Sequence, residues 1–216
     1  MTHASTHSPA PPLRALLAAP LLLALTGCFS LGGERTELAV YAPRVVLEAD
    51  AGWPSIQRTL AIGEPSASSM LDSNRIAVRP DPQRLQVYSG AVWSDSAPSL
   101  VQSALVSAFD QTDRFTAVGR TTSDAPSDLL LQLDLLQFEA VYAEGTVNPA
   151  AVVAFKATLI NQRERRVLGS LVVTAEVPAD GTQLPEVVPA FEAALADSAR
   201  QLVPWVLEQA AQPIEK

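Results

Sequence analysis

The segment LLLQLDLLQFEAVY, Leu129 to Tyr142, constrains the fold more than any other stretch of this 216-residue chain. Leu129, Leu131, Leu133 and Leu135 share one parity, whereas Leu136, Phe138, Ala140 and Tyr142 share the other. Side chains alternate across a strand with period two, so an unbroken strand would turn one of these sets away from the core. One extra residue near Leu135-Leu136 restores the alternation, and a β-bulge there is expected to keep both sets facing inward. Two further alternating runs follow. Val153, Phe155, Ala157 and Leu159 face one way while Lys156 and Thr158 face the other, and beyond NQRERR the residues Val167, Leu171, Val173, Ala175 and Val177 resume an inward face. Three long strands joined by hairpin-length loops make an antiparallel meander with one solvated face.

The half of the chain before this meander alternates extended runs with turn signals. Thr36 to Ala49 reads as a strand broken by Pro43, and Ile56 to Gly63 as a second strand. Arg75 to Ser89 reads as two short strands around Pro80-Asp81-Pro82, because a proline pair cannot donate ladder hydrogen bonds and is expected in the turn. Ser94 to Ser96 supply capping side chains and Pro98 a first-turn proline, so a helix is expected over Ala97 to Thr112, with Val101, Ala104, Leu105, Ala108 and Phe109 on its apolar face. Phe115 to Gly119 suggests a short strand, and Arg120 to Asp128 a polar loop. A second helix is expected from about Pro189 to Glu208, with Phe191, Ala194, Leu195, Leu202 and Val206 at near-helical spacing and a kink at Pro204. These elements predict an α+β two-layer domain: a mixed, mainly antiparallel sheet with two main helices on one face.

The chain has one cysteine, Cys28, behind the apolar run Ala15 to Leu25. That run has the length of a secretory h-region and is too short for a membrane-spanning helix. Leu25-Thr26-Gly27-Cys28 resembles a bacterial lipobox, at which a precursor is lipidated on cysteine and cut just before it. The expected organisation is a lipoprotein signal peptide over 1–27, a lipidated tether over 28–36 and a single periplasmic domain over 37–212. The alternative, a buried apolar cysteine in an ordinary helix, is opposed by Gly27 and the Gly32-Gly33 pair. Several acyl chains on Cys28 would hold the protein on a membrane essentially permanently. The second mature residue is Phe29 and not the aspartate that typically retains bacterial lipoproteins in the inner membrane. By analogy with that sorting, the inner leaflet of the outer membrane is expected.

Removing residues 1–27 leaves 14 basic and 23 acidic side chains, a net charge of about −9. Nucleic-acid binding needs a basic face to neutralise phosphates and is not expected. Both histidines, His3 and His7, lie in the leader. The mature chain therefore lacks the side chains of a Ser-His-Asp triad, a Cys-His pair or an ordinary zinc site. Neither GxGxxG nor GxxxxGK occurs. No catalytic residue, cofactor or metal is expected, and an enzyme would have to rely on carboxylates, Lys or Tyr alone.

Three local features carry candidate contacts. Trp93, just before the first helix, suits either a partner or lipid surface or a core position stapling the helix start. Arg163, Arg165 and Arg166 form a basic tip that suits lipid phosphates or an acidic partner, or equally a solvated hairpin turn. Trp205 and Val206 beside Pro204 suit either an apolar end for a neighbouring subunit or core packing.

The order of parts resembles the ABC-type transport auxiliary lipoproteins, which include the PqiC-like intermembrane-transport lipoproteins. The resemblance rests on the lipobox, on LDSNRIAVRPDPQRLQVYSGAVWSDSAPSLVQSALVSAF from Leu71 to Phe109, and on the later long strands with a C-terminal helix. Leu38-Ala39-Val40-Tyr41 followed by Pro43 departs from the Tyr-x-Leu first strand frequent in such proteins. The resemblance implies partners: an inner-membrane permease, often with an ATPase, and a periplasmic protein of the MCE type. It implies no cofactor and no catalysis, and a homo-oligomer suits a protein meeting a ring-shaped transporter. A structural or regulatory lipoprotein binding a cell-wall enzyme or an outer-membrane protein is the alternative from another class.

Overall fold

The computed structural model describes residues 38–121 and 126–212. Its elements are β1 (Ala39–Tyr41), β2 (Ile56–Ile62), β3 (Arg75–Asp81), β4 (Arg84–Trp93), α1 (Ala97–Gln111), β5 (Phe115–Arg120), β6 (Leu129–Val141), β7 (Ala150–Asn161), β8 (Arg166–Pro178) and α2 (Leu184–Ala211). The strands form one eight-stranded mixed sheet. Helix α2 packs on β7 and β8, α1 on β5 and β2, and the helices touch each other. The expected α+β class is the class found.

One detail of the sheet differs from expectation. The long pairings β6–β7 and β7–β8 are antiparallel, but four of the seven strand pairings are parallel. The reason is that β6 is long enough to pair twice along one edge. Its start lies parallel to β2 through Leu60↔Leu129 to Ile62↔Leu131, and its end lies parallel to β3 through Ala77↔Glu139 to Arg79↔Val141. Between them Ser66 bridges to Asp134, so the backbone of β6 stays paired along that side.

The bulge in β6 falls where the alternation demanded it: Leu135 pairs with Phe155 and Gln137 with Ala154, leaving Leu136 as the extra residue. Leu129, Leu131, Leu133, Leu135, Phe138 and Ala140 are all buried, but Leu136 itself is 52 % exposed. The bulged residue turns outward so that its neighbours can turn in. A second bulge was not legible. Leu159 pairs with Gly169 and Ile160 with Val167, so Leu168 is the extra residue in β8 and Val167, expected inward, lies exposed.

The first strand is also shorter than expected. Among its described residues only Ala39–Tyr41 pairs, parallel to the end of β4. Val45 and Leu47 are nevertheless buried, because the side-chain amide of Gln111 takes the place of a neighbouring strand. Its Oε1 accepts from the Leu47 N–H at 3.0 Å, and its Nε2 donates to the Val45 carbonyl at 3.3 Å. Pro80 lies inside β3 rather than in the turn, which Pro82 and Gln83 form. Its missing N–H is tolerated because it sits in the irregularity between Val78 and Asp81.

Helix α1 matches its expected span to within one residue, with Ser96 Oγ accepting from the Ser99 N–H at 3.4 Å. Helix α2 begins at Leu184, earlier than expected, and runs through both Pro189 and Pro204 to Ala211. The earlier start is fixed by Glu186, whose carboxylate accepts from the Gln183 N–H at 3.1 Å. Gly181 leaves room for that carboxylate, since a Cβ there would lie 2.0 Å from Glu186 Oε2.

Candidate docking surface

Among the sequence candidates, Trp93 lies in the core at 1 % exposure. Its ring centroid is 5.5 Å from that of Phe138 and 5.1 Å from that of Phe191, and the two phenylalanines are 5.0 Å apart. One aromatic from β4, one from β6 and one from α2 thus lock the sheet to the helix. Such pairs add about 0.5–1.5 kcal/mol each beyond their burial. The packing places Trp93 in the stapling role rather than on a contact surface. Val206 is fully buried, and Trp205 is half-buried against β8, where Gly169 makes room for the indole: a Cβ at 169 would lie 3.2 Å from Trp205 Cζ2. Cys28 lies outside the described residues.

The three arginines of the tip stand together at the β7–β8 turn. The turn is shaped by Asn161, whose Oδ1 accepts from the N–H groups of Arg163 (3.1 Å) and Glu164 (3.3 Å). Arg165 closes it with φ +53°, in the left-handed region that a non-glycine residue enters at a cost. Arg163 pairs with Asp128 at 2.6 Å, and Arg166 Nε pairs with Glu164 at 3.3 Å. Arg165 makes no ion pair among the described residues.

The sequence did not single out Asp128, which ties this tip to the body. Its Oδ2 accepts from the Thr59 N–H at 2.9 Å and from the Thr59 hydroxyl at 3.1 Å, while its own N–H donates to Thr59 Oγ1 at 2.9 Å. The Thr59 N–H, followed by the Thr59 hydroxyl and the Arg163 guanidinium, holds the Asp128 carboxyl below the usual range against a smaller desolvation effect. Arg58, adjacent to Thr59 on β2, is half-buried and likewise unpaired among the described residues. Arg58 and Arg163 share a pocket of about 180 Å³ with Gln57, Asp128, Asn161 and Glu164. Residues 58 and 163 are distant in the sequence, and the β2–β6 and β6–β7 pairings together bring them close.

The other end of the long strands has the opposite character. Asp81 and Glu144 stand there in an open cleft of about 610 Å³, lined also by Arg79, Pro82, Val141 and Tyr142. Arg79 in this cleft is bound to a buried acid. Its Nε and Nη2 donate to Glu139 at 2.8 and 3.0 Å, Gln137 Nε2 adds a third bond at 3.0 Å, and Glu139 is 1 % exposed. The pair raises the Arg79 pKa, chiefly through the hydrogen bond to Glu139. Nearby, burial first and the neighbouring Tyr142 second push the Tyr88 phenol up; its hydroxyl lies close to Tyr142 without reaching good hydrogen-bond geometry.

Among the described residues no group of three or more His, Cys, Asp or Glu could hold a metal ion, and no helix is long and apolar enough to cross a membrane.

A family model described as ABC-type transport auxiliary lipoprotein component matches residues 42–203. The structure is similar to that of protein XCC0632 from Xanthomonas campestris, with a TM-score of 0.74 and 36 % identity over 79 % of this chain and 96 % of that one. It shares its fold with a second, uncharacterized protein at a TM-score of 0.61 and 14 % identity, over 78 % of this chain and 97 % of that one. An uncharacterized protein of Bradyrhizobium diazoefficiens is 27 % identical over 82 % of this chain, which spans 47 % of that relative's length.

Proposed function

Because the chain belongs to the family of ABC-type transport auxiliary lipoprotein components, we propose that it is a non-enzymatic subunit of an intermembrane lipid transporter. In this reading Cys28 carries the acyl chains, the outer membrane's inner leaflet holds them, and the domain works in the periplasm. Its partners are an MCE-type periplasmic protein and an inner-membrane permease with its ATPase, and the work contributes to envelope integrity. The observation that carries the reading is the family match over most of the domain, including the strands, Trp93 and α1 on which the sequence resemblance rests. A tethered domain that leaves arginines such as Arg58 and Arg165 without an ion-pair partner among the described residues is physically suited to docking.

The test is affinity purification of the full-length lipoprotein from detergent-solubilised envelopes, with Cys28→Ala as the localisation control. Recovery of an MCE protein with its permease is the expected result. Recovery of cell-wall enzymes or an outer-membrane protein, with no transport component, would replace this reading with that of a structural or regulatory lipoprotein. Labelling with a radioactive fatty acid tests the anchor separately: label in the wild type and none in Cys28→Ala is expected.

A further inference from the structure

We propose that the β7–β8 hairpin end is the docking surface and that it receives carboxylates of an acidic protein surface, with Arg58 and Arg165 as the principal anchors. The inference rests on the reading that this domain docks with a partner, and it names the surface and the chemistry of that partner.

The observations are electrostatic and geometric. Arg58, Arg163, Arg165 and Arg166 converge from β2 and the hairpin on one end of a chain whose charge is otherwise acidic. Only Asp128 and Glu164 answer them in the ion pairs of that end, leaving Arg58 and Arg165 without an ion-pair partner among the described residues. The Arg163–Asp128 pair does not lock Arg163 in place. Arg163 is 80 % exposed although Asp128 is only 17 % exposed, so the guanidinium half of the pair stands in water and can turn to an incoming carboxylate. Asp128 would then keep its bonds to Thr59, and the turn would keep its Asn161 bonds. Guanidinium groups bind carboxylates through paired, charge-assisted hydrogen bonds, which makes them suited to a partner presenting Asp or Glu.

Phosphate headgroups offer the same charge in a different setting, and the structure favours a protein. Asp128 and Glu164 sit within the patch, and a continuous anionic bilayer would also repel the remaining acidic surface of the domain. A protein surface can place its carboxylates between those acids.

The experiment uses the full-length lipoprotein in its envelope, with a photo-reactive residue placed at Gln162 in the tip or at Val147 in the opposite loop. The expected result is a protein adduct from position 162 and none from 147. That adduct should fall about tenfold in the Arg58→Gln/Arg165→Gly double variant and also fall as salt rises, as expected of exposed charge pairs. Arg200→Gln, which removes a charge on α2, should leave it unchanged. Arg165→Gly alone suits the left-handed turn position, so a loss of adduct in that variant cannot be assigned to misfolding. Adducts from 147 alone, no adduct from 162, or an adduct at 162 indifferent to the arginines and to salt would overturn the proposal. So would arginine-dependent binding of the Cys28→Ala protein to phosphatidylglycerol vesicles, in favour of a lipid surface. The two readings fail separately. An arginine-dependent adduct with a cell-wall enzyme would sink the transporter and keep the surface, whereas purification of the transporter indifferent to these arginines would do the reverse.

Discussion

The aromatic centre and the arginine tip of this domain treat their most distinctive side chains in opposite ways. At the centre, Trp93, Phe138 and Phe191 are at most 1 % exposed and bring no charge with them. At the tip, Arg163, Arg165 and Arg166 are exposed on a two-strand hairpin, and the backbone beneath them is held by the Asn161 side chain and by the Asp128 carbonyl, which accepts from the Gln162 N–H. The lesson is that a prominent residue type does not by itself declare its role. A tryptophan at the end of a strand, next to a helix start, is drawn into the space between layers. Arginines between two paired strands have nowhere to go but outward.

Substitutions that separate the two regions should differ in kind as well as in size. Trp93→Ala removes the largest side chain of the centre and should cost about 3–5 kcal/mol, read as a fall in the denaturation midpoint with little change in slope. Arg79→Ala leaves Glu139 buried without its partner and should cost about 3 kcal/mol by the same measurement. A cost near zero would mean that Glu139 finds another donor or water.

Asp128 connects the tip to the body, so its effect should be intermediate and dependent on pH. Its folded-state pKa is lowered, so its contribution is present above the unfolded value of about 3.9 and is lost as pH falls through the lower folded value. Asp128→Asn should therefore melt below the wild type at pH 7, and the two melting curves should converge as pH drops under about 4. A difference that persists at pH 2 would assign the effect to the amide rather than to the lost charge.

Arg165→Gly should raise stability slightly, by up to about 1 kcal/mol, because glycine occupies the left-handed region without strain. Leu136→Gln should change stability by no more than about 0.5 kcal/mol, since the bulged side chain already faces water. A large loss there would show that Leu136 is covered by another molecule in the purified protein.

Local periodicity made the centre legible. The parity shift at Leu135-Leu136 located a bulge, the 101-104-105-108-109 spacing located α1, and the alternation in β7 gave its core face residue by residue. Where a side chain substitutes for secondary structure, the sequence is silent: Gln111 supporting Val45 and Leu47 has no local pattern, and neither does the extra residue Leu168. The mixed sheet was expected, but the share of parallel pairings was not legible for a related reason, because which strand lies beside β6 is decided by long crossovers and not by the strand's own composition. The arginine tip could be read because its residues are consecutive or nearly so. Asp128 and Arg58 could not, because Asp128 reaches the tip through the pairing of β6 with β7 and Arg58 through the further pairing of β2 with β6.

The measurement that most directly separates centre from tip is the recovery of transporter components by full-length Trp93→Phe and by full-length Arg58→Gln/Arg165→Gly, each paired with its melting temperature. The expected result is a lowered melting temperature with recovery retained in the first, and a melting temperature equal to or slightly above that of the wild type with recovery lost in the second. Recovery that follows melting temperature across both variants would contradict a docking role for the hairpin end.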